Sequence, residues 1–331
     1  MNFQQLALVS AAALLAAPAL QAQLADYKTV MADEFVRSYM TTCMFSQPSG
    51  LTGGTFTSPS SLTGHGLSQL YVNGSGEYSL GRDFWDIGDF EPYVRAVLGG
   101  SGYDEKVPAP GAGFADDRTD GFSIAFNGFG GIRWYPWRHT VINVMVGYGY
   151  MYLENNYSYN NPVSQALAPS MNGSTRNWYA NVLNSVTQVG ASQSIPLWSG
   201  AWDDPEDSPT LPRLRFFTNY TSTTHIGVWG TKNDQQRYVT AYIWTNGAEL
   251  FLPVGRPWGK QLFLTPYFQR TDMFDDGHHS LSTTRHFYEA GVRAGIFNDA
   301  TWGGNNVFFL SGSALWGSHF NGWQVSAGLR F

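Results

Sequence analysis

Apolar and small-or-polar positions alternate without a break from Trp323 to Phe331. Trp323, Val325, Ala327, Leu329 and Phe331 fall on one side of an extended strand, and Gln324, Ser326, Gly328 and Arg330 on the other. The same two-residue period returns in HFYEAGVRAGIF, where Tyr288, Ala290, Val292, Ala294 and Ile296 alternate with Glu289, Gly291, Arg293 and Gly295. It returns again at 140–153, with Ile142, Val144, Val146, Tyr148, Tyr150 and Tyr152 on one face and Asn143, Gly147 and Gly149 on the other.

Weaker alternation predicts further strands near 307–316, 261–271, 238–252, 214–228, 177–189, 121–132, 90–99, 69–80 and in LTGGTFTSP, about 12 in all. An even count places both ends of a closed barrel on the same side of a membrane. Between the strands, polar segments such as GSGYDEKVPAPGAGFADDRTD and ENNYSYNNPVSQALAPSMNGSTR read as outer loops, and WYPWRH and PVGRPWGK as short inner turns. WYPWRH would set Trp134, Tyr135 and Trp137 at a membrane interface, where amphipathic rings are favoured. IPLWSGAWDDPEDSPTLPR is long for an inner turn.

One segment has a different period. ADYKTVMADEFVRSYMTTC carries Tyr27, Val30, Met31, Phe35 and Tyr39 at three-to-four spacing, which predicts an amphipathic helix within residues 23–48. A Gly/Ser/Thr-rich connector, SQPSGLTGGTFTSPSSLTGHG, leads from it into the strands.

Composition narrows the class. Aromatic residues make up 16% of the 331 residues and charged residues 13%, against about 25% charged in ordinary soluble domains. Mean hydropathy is slightly negative, and beyond the first two dozen residues no window reaches the roughly 20 apolar residues of a membrane helix. Low charge with many aromatics suits strands that meet lipid on one face only. Residues 1–22, with an apolar run from Leu6 to Ala17 and small residues near Ala22, read as a secretory signal peptide. Cys43 is the single cysteine, so no internal disulfide forms, and a thiol entering an oxidising compartment is best hidden in a packed site. A net charge of -6 speaks against nucleic acid as a partner.

The terminal strand WQVSAGLRF, the strand YEAGVRAGIF and a helix ahead of about 12 strands together resemble an autotransporter-type outer-membrane β-barrel. The resemblance implies an all-β, transmembrane antiparallel barrel at residues 49–331 in the outer membrane of a Gram-negative bacterium, with the N-terminal helix threading the pore. It further implies that Phe331, with Leu329 and Trp323, is an assembly signal read by the barrel-assembly machinery. Between signal peptide and first strand lie roughly 30 to 45 residues, too few for a passenger such as a β-helix. The expectation is therefore a solitary, non-enzymatic barrel acting as a pore, translocator-like or structural protein in contact with outer-membrane lipid.

Inward charges are the candidate pore lining: Glu289, Arg293 and Arg330. Opposite charges inside a barrel pair across neighbouring strands and brace the wall, or line a passage for ions. The alternative function is an outer-membrane hydrolase. Asp272, Asp275, Asp276, His278 and His279 crowd one outer loop and could bind a divalent cation or form half of a rim protease site, and Ser311 or Ser313 with His286 or His319 could form a phospholipase-type pair. No Asp-x-Asp occurs in the chain, and a solvated loop is the plain reading of the first cluster. No cofactor motif, zinc-type Cys/His spacing or phosphate-binding glycine loop is present, so neither cofactor nor metal is expected.

Overall fold

A computed structural model describes residues 34–46, 49–59, 66–85, 88–109, 113–173, 176–198, 210–230, 238–275, 285–298, 306–318 and 320–330. The signal segment 1–22, residues 23–33 of the expected helix, the loop residues Asp276, His278 and His279, and both His319 and Phe331 lie outside them, as do the side chains of Asp275 and Arg330.

Twelve antiparallel strands close into one barrel, each hydrogen-bonded to its sequence neighbours and the last to the first. They are β1 (Gly50–Pro59), β2 (Gly66–Ser79), β3 (Phe90–Val107), β4 (Asp117–Trp137), β5 (Thr140–Ser158) and β6 (Trp178–Pro196), then β7 (Arg213–Gly230), β8 (Tyr238–Gly255), β9 (Leu262–Asp275), β10 (His286–Asn298), β11 (Asn306–Gly317) and β12 (Phe320–Arg330). Because β1 begins where β12 finishes, with Leu51 opposite Ala327, one rim of the barrel carries both ends of the wall. We call it the terminal rim and the opposite one the loop rim.

The two-residue period decides which side chains face where. On β10, Phe287 and Glu289 are 1% and 2% exposed, whereas Val292 is 47% exposed. Most strands repeat this, so the buried core lies inside the barrel and the large exposed apolar residues, such as Leu98, Phe126, Val146 and Leu310, clothe its outside. Ring contacts collect near both rims of that outer face: Tyr150 with Trp229 and Tyr152 with Tyr179 towards the loop rim, Phe90 with Trp134 at the terminal rim. Apolar outer faces bounded by aromatic rings are the form of a membrane barrel. Among the described residues no helix is long and apolar enough to cross a membrane.

Several boundaries differ from the alternation. The strands expected at 90–99, 121–132, 140–153 and 177–189 are longer, and β3, β4 and β5 run on beyond the apolar band towards the loop rim. Their ladders continue from Tyr103 opposite Gly121 to Val107 opposite Asp117, through residues that are polar on both faces. Backbone pairing needs no apolar side chain, so periodicity stops before the strand does. The expected loop 154–176 contains the end of β5 and a short helix, α2 (Pro162–Met171). Asn161 caps it, its side-chain oxygen accepting from Ser164 N at 2.9 Å, and Pro162 opens the first turn.

The turn WYPWRH is shorter than expected, because β4 runs through Trp137 and β5 begins at Thr140. His139 takes a φ of 61° in the tight connection. Trp134 and Trp137 point outward as expected, at 40% and 71% exposed. Tyr135 does not join them. It donates its hydroxyl to Glu91 and packs its ring beneath the Arg82 guanidinium, 3.6 Å from the ring centre.

Candidate functional site

Inside the barrel lies α1, residues 34–44, whose last turn, Met40–Met44, is a π-helix. From Glu34 to Cys43 its residues are buried, so the amphipathic period expected across 23–48 ends as a helix packed on all sides. Glu34 and Arg37, 3.2 Å apart and both under 10% exposed, pair on successive turns. The Thr42 hydroxyl donates to the Ser38 carbonyl at 2.6 Å, and Thr41 Oγ1 lies 3.1 Å from the Arg37 carbonyl. Such back-bonding competes with the regular ladder and bends helices. The i to i-5 bond from Phe45 N to Met40 O closes the wide final turn at 3.1 Å.

The helix runs down the lumen. Glu34 and Ser38 border a crevice with Tyr103, Gly121 and Trp178 towards the loop rim. At the other end Ser46 meets Arg95, eight residues nearer the terminal rim on β3. Arg95 donates to the Ser46 carbonyl at 3.1 Å and to its hydroxyl at 2.6 Å, placing a cation where the helix dipole is negative.

Between these ends the wall grips the helix through uncharged groups. Asn73 Nδ2 donates to the Thr41 carbonyl at 3.0 Å, Ser101 Oγ lies 3.0 Å from Thr41 Oγ1, and Asn127 Nδ2 donates to Cys43 Sγ at 2.7 Å. These partners sit on β2, β3 and β4. On the far side, the Tyr39 ring packs against His225 of β7 with centroids 5.2 Å apart. His225 is fully buried and held by Asn184 at 2.9 Å and Thr223 at 3.1 Å. The helix therefore meets the wall at β2–β4 and, several strands round the barrel, at β7.

A polar cavity of about 410 Å³ remains beside and below it, towards the terminal rim. Arg133 on β4 binds Glu77 and Glu91, the latter at 2.8 Å, and lies over the Tyr93 ring. Arg215 binds Glu249 at 3.0 Å, and Arg293 approaches the same carboxylate at 3.8 Å. Cations and carboxylates thus neutralise one another across strands.

The sequence-derived candidates fall as follows. Glu289 faces the interior, accepting from Tyr267 Oη at 2.7 Å and from Gln269 and Gln324 Nε2 at 2.6 Å each. Arg293 faces the cavity two rungs away, and its ion-pair partner is Glu249 rather than Glu289. Trp323 and Leu329 point outward, at 52% and 47% exposed. Arg95, Arg133, Arg215 and Asn127 also stand at inward positions of their strands, which two-residue alternation alone does not single out. Cys43 is buried, hidden between helix and wall.

The hydrolase constellations are not brought together by the described residues. His286 lies opposite Asp272 on the outer face, whereas Ser311 is buried within, so His286 and the serines of β11 are separated by the wall. Asp272 is engaged by Arg270 at 2.6 Å. Among the described residues, no group of three or more His, Cys, Asp or Glu could hold a metal ion.

The fold is shared with the barrel domains of known autotransporters. The chain is similar to the β-domain of the Bordetella autotransporter BrkA, with 13% identity and a TM-score of 0.53, over 86% of this chain and 99% of that one. It is also similar to the translocator domain of the autotransporter NalP from Neisseria meningitidis, with 13% identity and a TM-score of 0.50, over 92% and 98%. No curated protein matches the chain by sequence. The family described as the solitary outer membrane autotransporter beta-barrel domain matches residues 101–326, well over half of the sequence. This chain is a member of that family, an autotransporter-like outer-membrane β-barrel.

Proposed function

We propose that the protein is a self-plugged, non-enzymatic barrel in the outer membrane of a Gram-negative bacterium, a translocator-like or structural protein. The observation that carries this reading is α1, which is gripped by Asn73, Ser101 and Asn127 on one side and meets His225 on the other. One helix occupies the lumen, with a cavity of about 410 Å³ beside it. Residues 23–48 act as the plug and residues 49–331 as the wall. Glu289, Arg293 and Arg330 belong to the lining, which keeps charge away from lipid. The outward Trp323 and Leu329 support contact of the last strand with outer-membrane lipid, and that strand, with Phe331, is the segment offered to the barrel-assembly machinery.

The test is solute flux. Full-length protein refolded into phospholipid vesicles should give no osmotic swelling in small sugars, and a variant lacking residues 23–46 should swell rapidly. Equal swelling by both proteins would overturn the plug. Absence of swelling from a helix-less barrel that still shows a folded, heat-modifiable band would overturn the pore beneath it.

A further inference from the structure

The barrel closes where β1 meets β12, and among the described residues this ladder is the shortest in the wall, running from Leu51 opposite Ala327 to Thr57 opposite Asn321. By comparison, β3 and β4 pair from Phe90 opposite Trp134 to Val107 opposite Asp117. A short ladder at the one junction between distant parts of the chain is the place where a barrel opens first, since both strands there must be brought together from opposite ends of the sequence.

A row of interior side chains crosses that junction. Tyr71 on β2 donates its hydroxyl to Gln324 Oε1 on β12 at 2.8 Å. Gln324 in turn donates Nε2 to Glu289 on β10 at 2.6 Å, and Glu289 accepts from Tyr267 and Gln269 on β9. The chain of bonds spans β2, β12, β10 and β9 and leaps two strands on the way. Both leaps pass over small residues. Gly54 of β1 stands opposite both Tyr71 and Gln324, and a β-carbon on it would come within 2.3 Å of the Trp323 carbonyl oxygen and 3.0 Å of Gln324 Cβ. On β11 the residue opposite Gln324 is Ser313, itself opposite Gly291 of β10.

We propose that Glu289, Gln324 and Tyr71 form a strap that locks the β1–β12 seam, with the Glu289 carboxylate as its anchor. Tyr71, Gln324 and Glu289 are 2%, 5% and 2% exposed, so their bonds are made away from competing water, and a carboxylate acceptor strengthens the three bonds made to it. A carboxylate serves this better than a neutral group because its two oxygens accept all three donors at once. The plug rests on the same foundation: Phe45 packs against Tyr71 and Phe287 with ring centroids 5.4 and 5.9 Å apart. Glu289 acts here as a positioning residue for the seam, whatever passes or does not pass through the lumen.

Amide hydrogen exchange on the full chain refolded in vesicles tests the strap. Glu289→Ala should speed exchange at residues 53–56 and 323–325 at least tenfold, while β6 and β7 stay within twofold of the parent. Tyr71→Phe removes one oxygen and leaves the ring on Phe45, and should give the same local pattern at severalfold. Glu289→Gln, which keeps an acceptor, should fall between Glu289→Ala and the parent. Unchanged seam exchange, or acceleration spread evenly around the barrel, would overturn the proposal. Should Glu289→Ala fail to refold, Tyr71→Phe and Gln324→Ala decide it by the same two readings.

Discussion

A β-carbon placed on Gly99 of β3 would stand 2.1 Å from the carbonyl oxygen of Thr42 in the lumenal helix. Nothing larger than hydrogen fits between the wall and the helix backbone at that level. Overpacking of this kind costs about 1–3 kcal/mol, and here it falls on the contact between plug and wall rather than on the ladder. Gly99→Ala should therefore loosen the plug and produce flickering openings in planar bilayers. Gly128 faces outward on β4 with nothing within 4 Å of such a carbon, so Gly128→Ala should stay as silent as the parent. Silence from Gly99→Ala, in a barrel that folds, would mean that the helix is held elsewhere.

Val292 and Arg293 are neighbours in sequence on opposite sides of the wall. Val292 is 47% exposed on the outer face near the middle of β10, and Arg293 lies inside, 3.8 Å from Glu249. If that outer face meets lipid, Val292→Arg should destabilise the refolded protein by about 2–4 kcal/mol in a denaturant titration in vesicles. A soluble sandwich predicts a change within about 0.5 kcal/mol for the same substitution on a solvent face. The titration separates the two environments without reference to function.

The wall was legible because its rule is simple. A face in lipid tolerates only apolar residues, so Val292, Val146 and Leu310 announce their strands, and all twelve strands are where alternation places them to within their ends. Beyond the apolar band the rule lapses. Asp104 and Arg118, which pair across β3 and β4 near the loop rim, look like loop residues although they sit in a ladder. Asp117 accepts from Tyr157, Asn161 and the Asn160 amide and so orders the segment that carries α2. No periodicity encodes such a hub.

The lumen was less legible than the wall for the same physical reason. Inward positions admit glycine, serine, arginine or phenylalanine, according to what lies across the barrel. Glu289 could be assigned an inward face from sequence, but its partners come from β9 and β12, and which donors meet it follows from register. The grip on α1 by Asn73, Ser101 and Asn127 depends likewise on three strands converging at one height. Gly99 carries a signal in principle, an inward glycine amid larger neighbours, but it is one of 37 glycines.

Residues 34–46 occupy the lumen, and the single native cysteine tests this most directly. Cys43 Sγ is 2.7 Å from Asn127 Nδ2, so Asn127→Cys would set a second thiol facing Cys43 across the contact between helix and wall. Mild oxidation of that variant in its membrane, followed by mass spectrometry of the peptides, should recover residue 43 disulfide-linked to position 127 in most molecules. Two free thiols that a bulky maleimide labels in the folded barrel would instead place the helix outside the lumen.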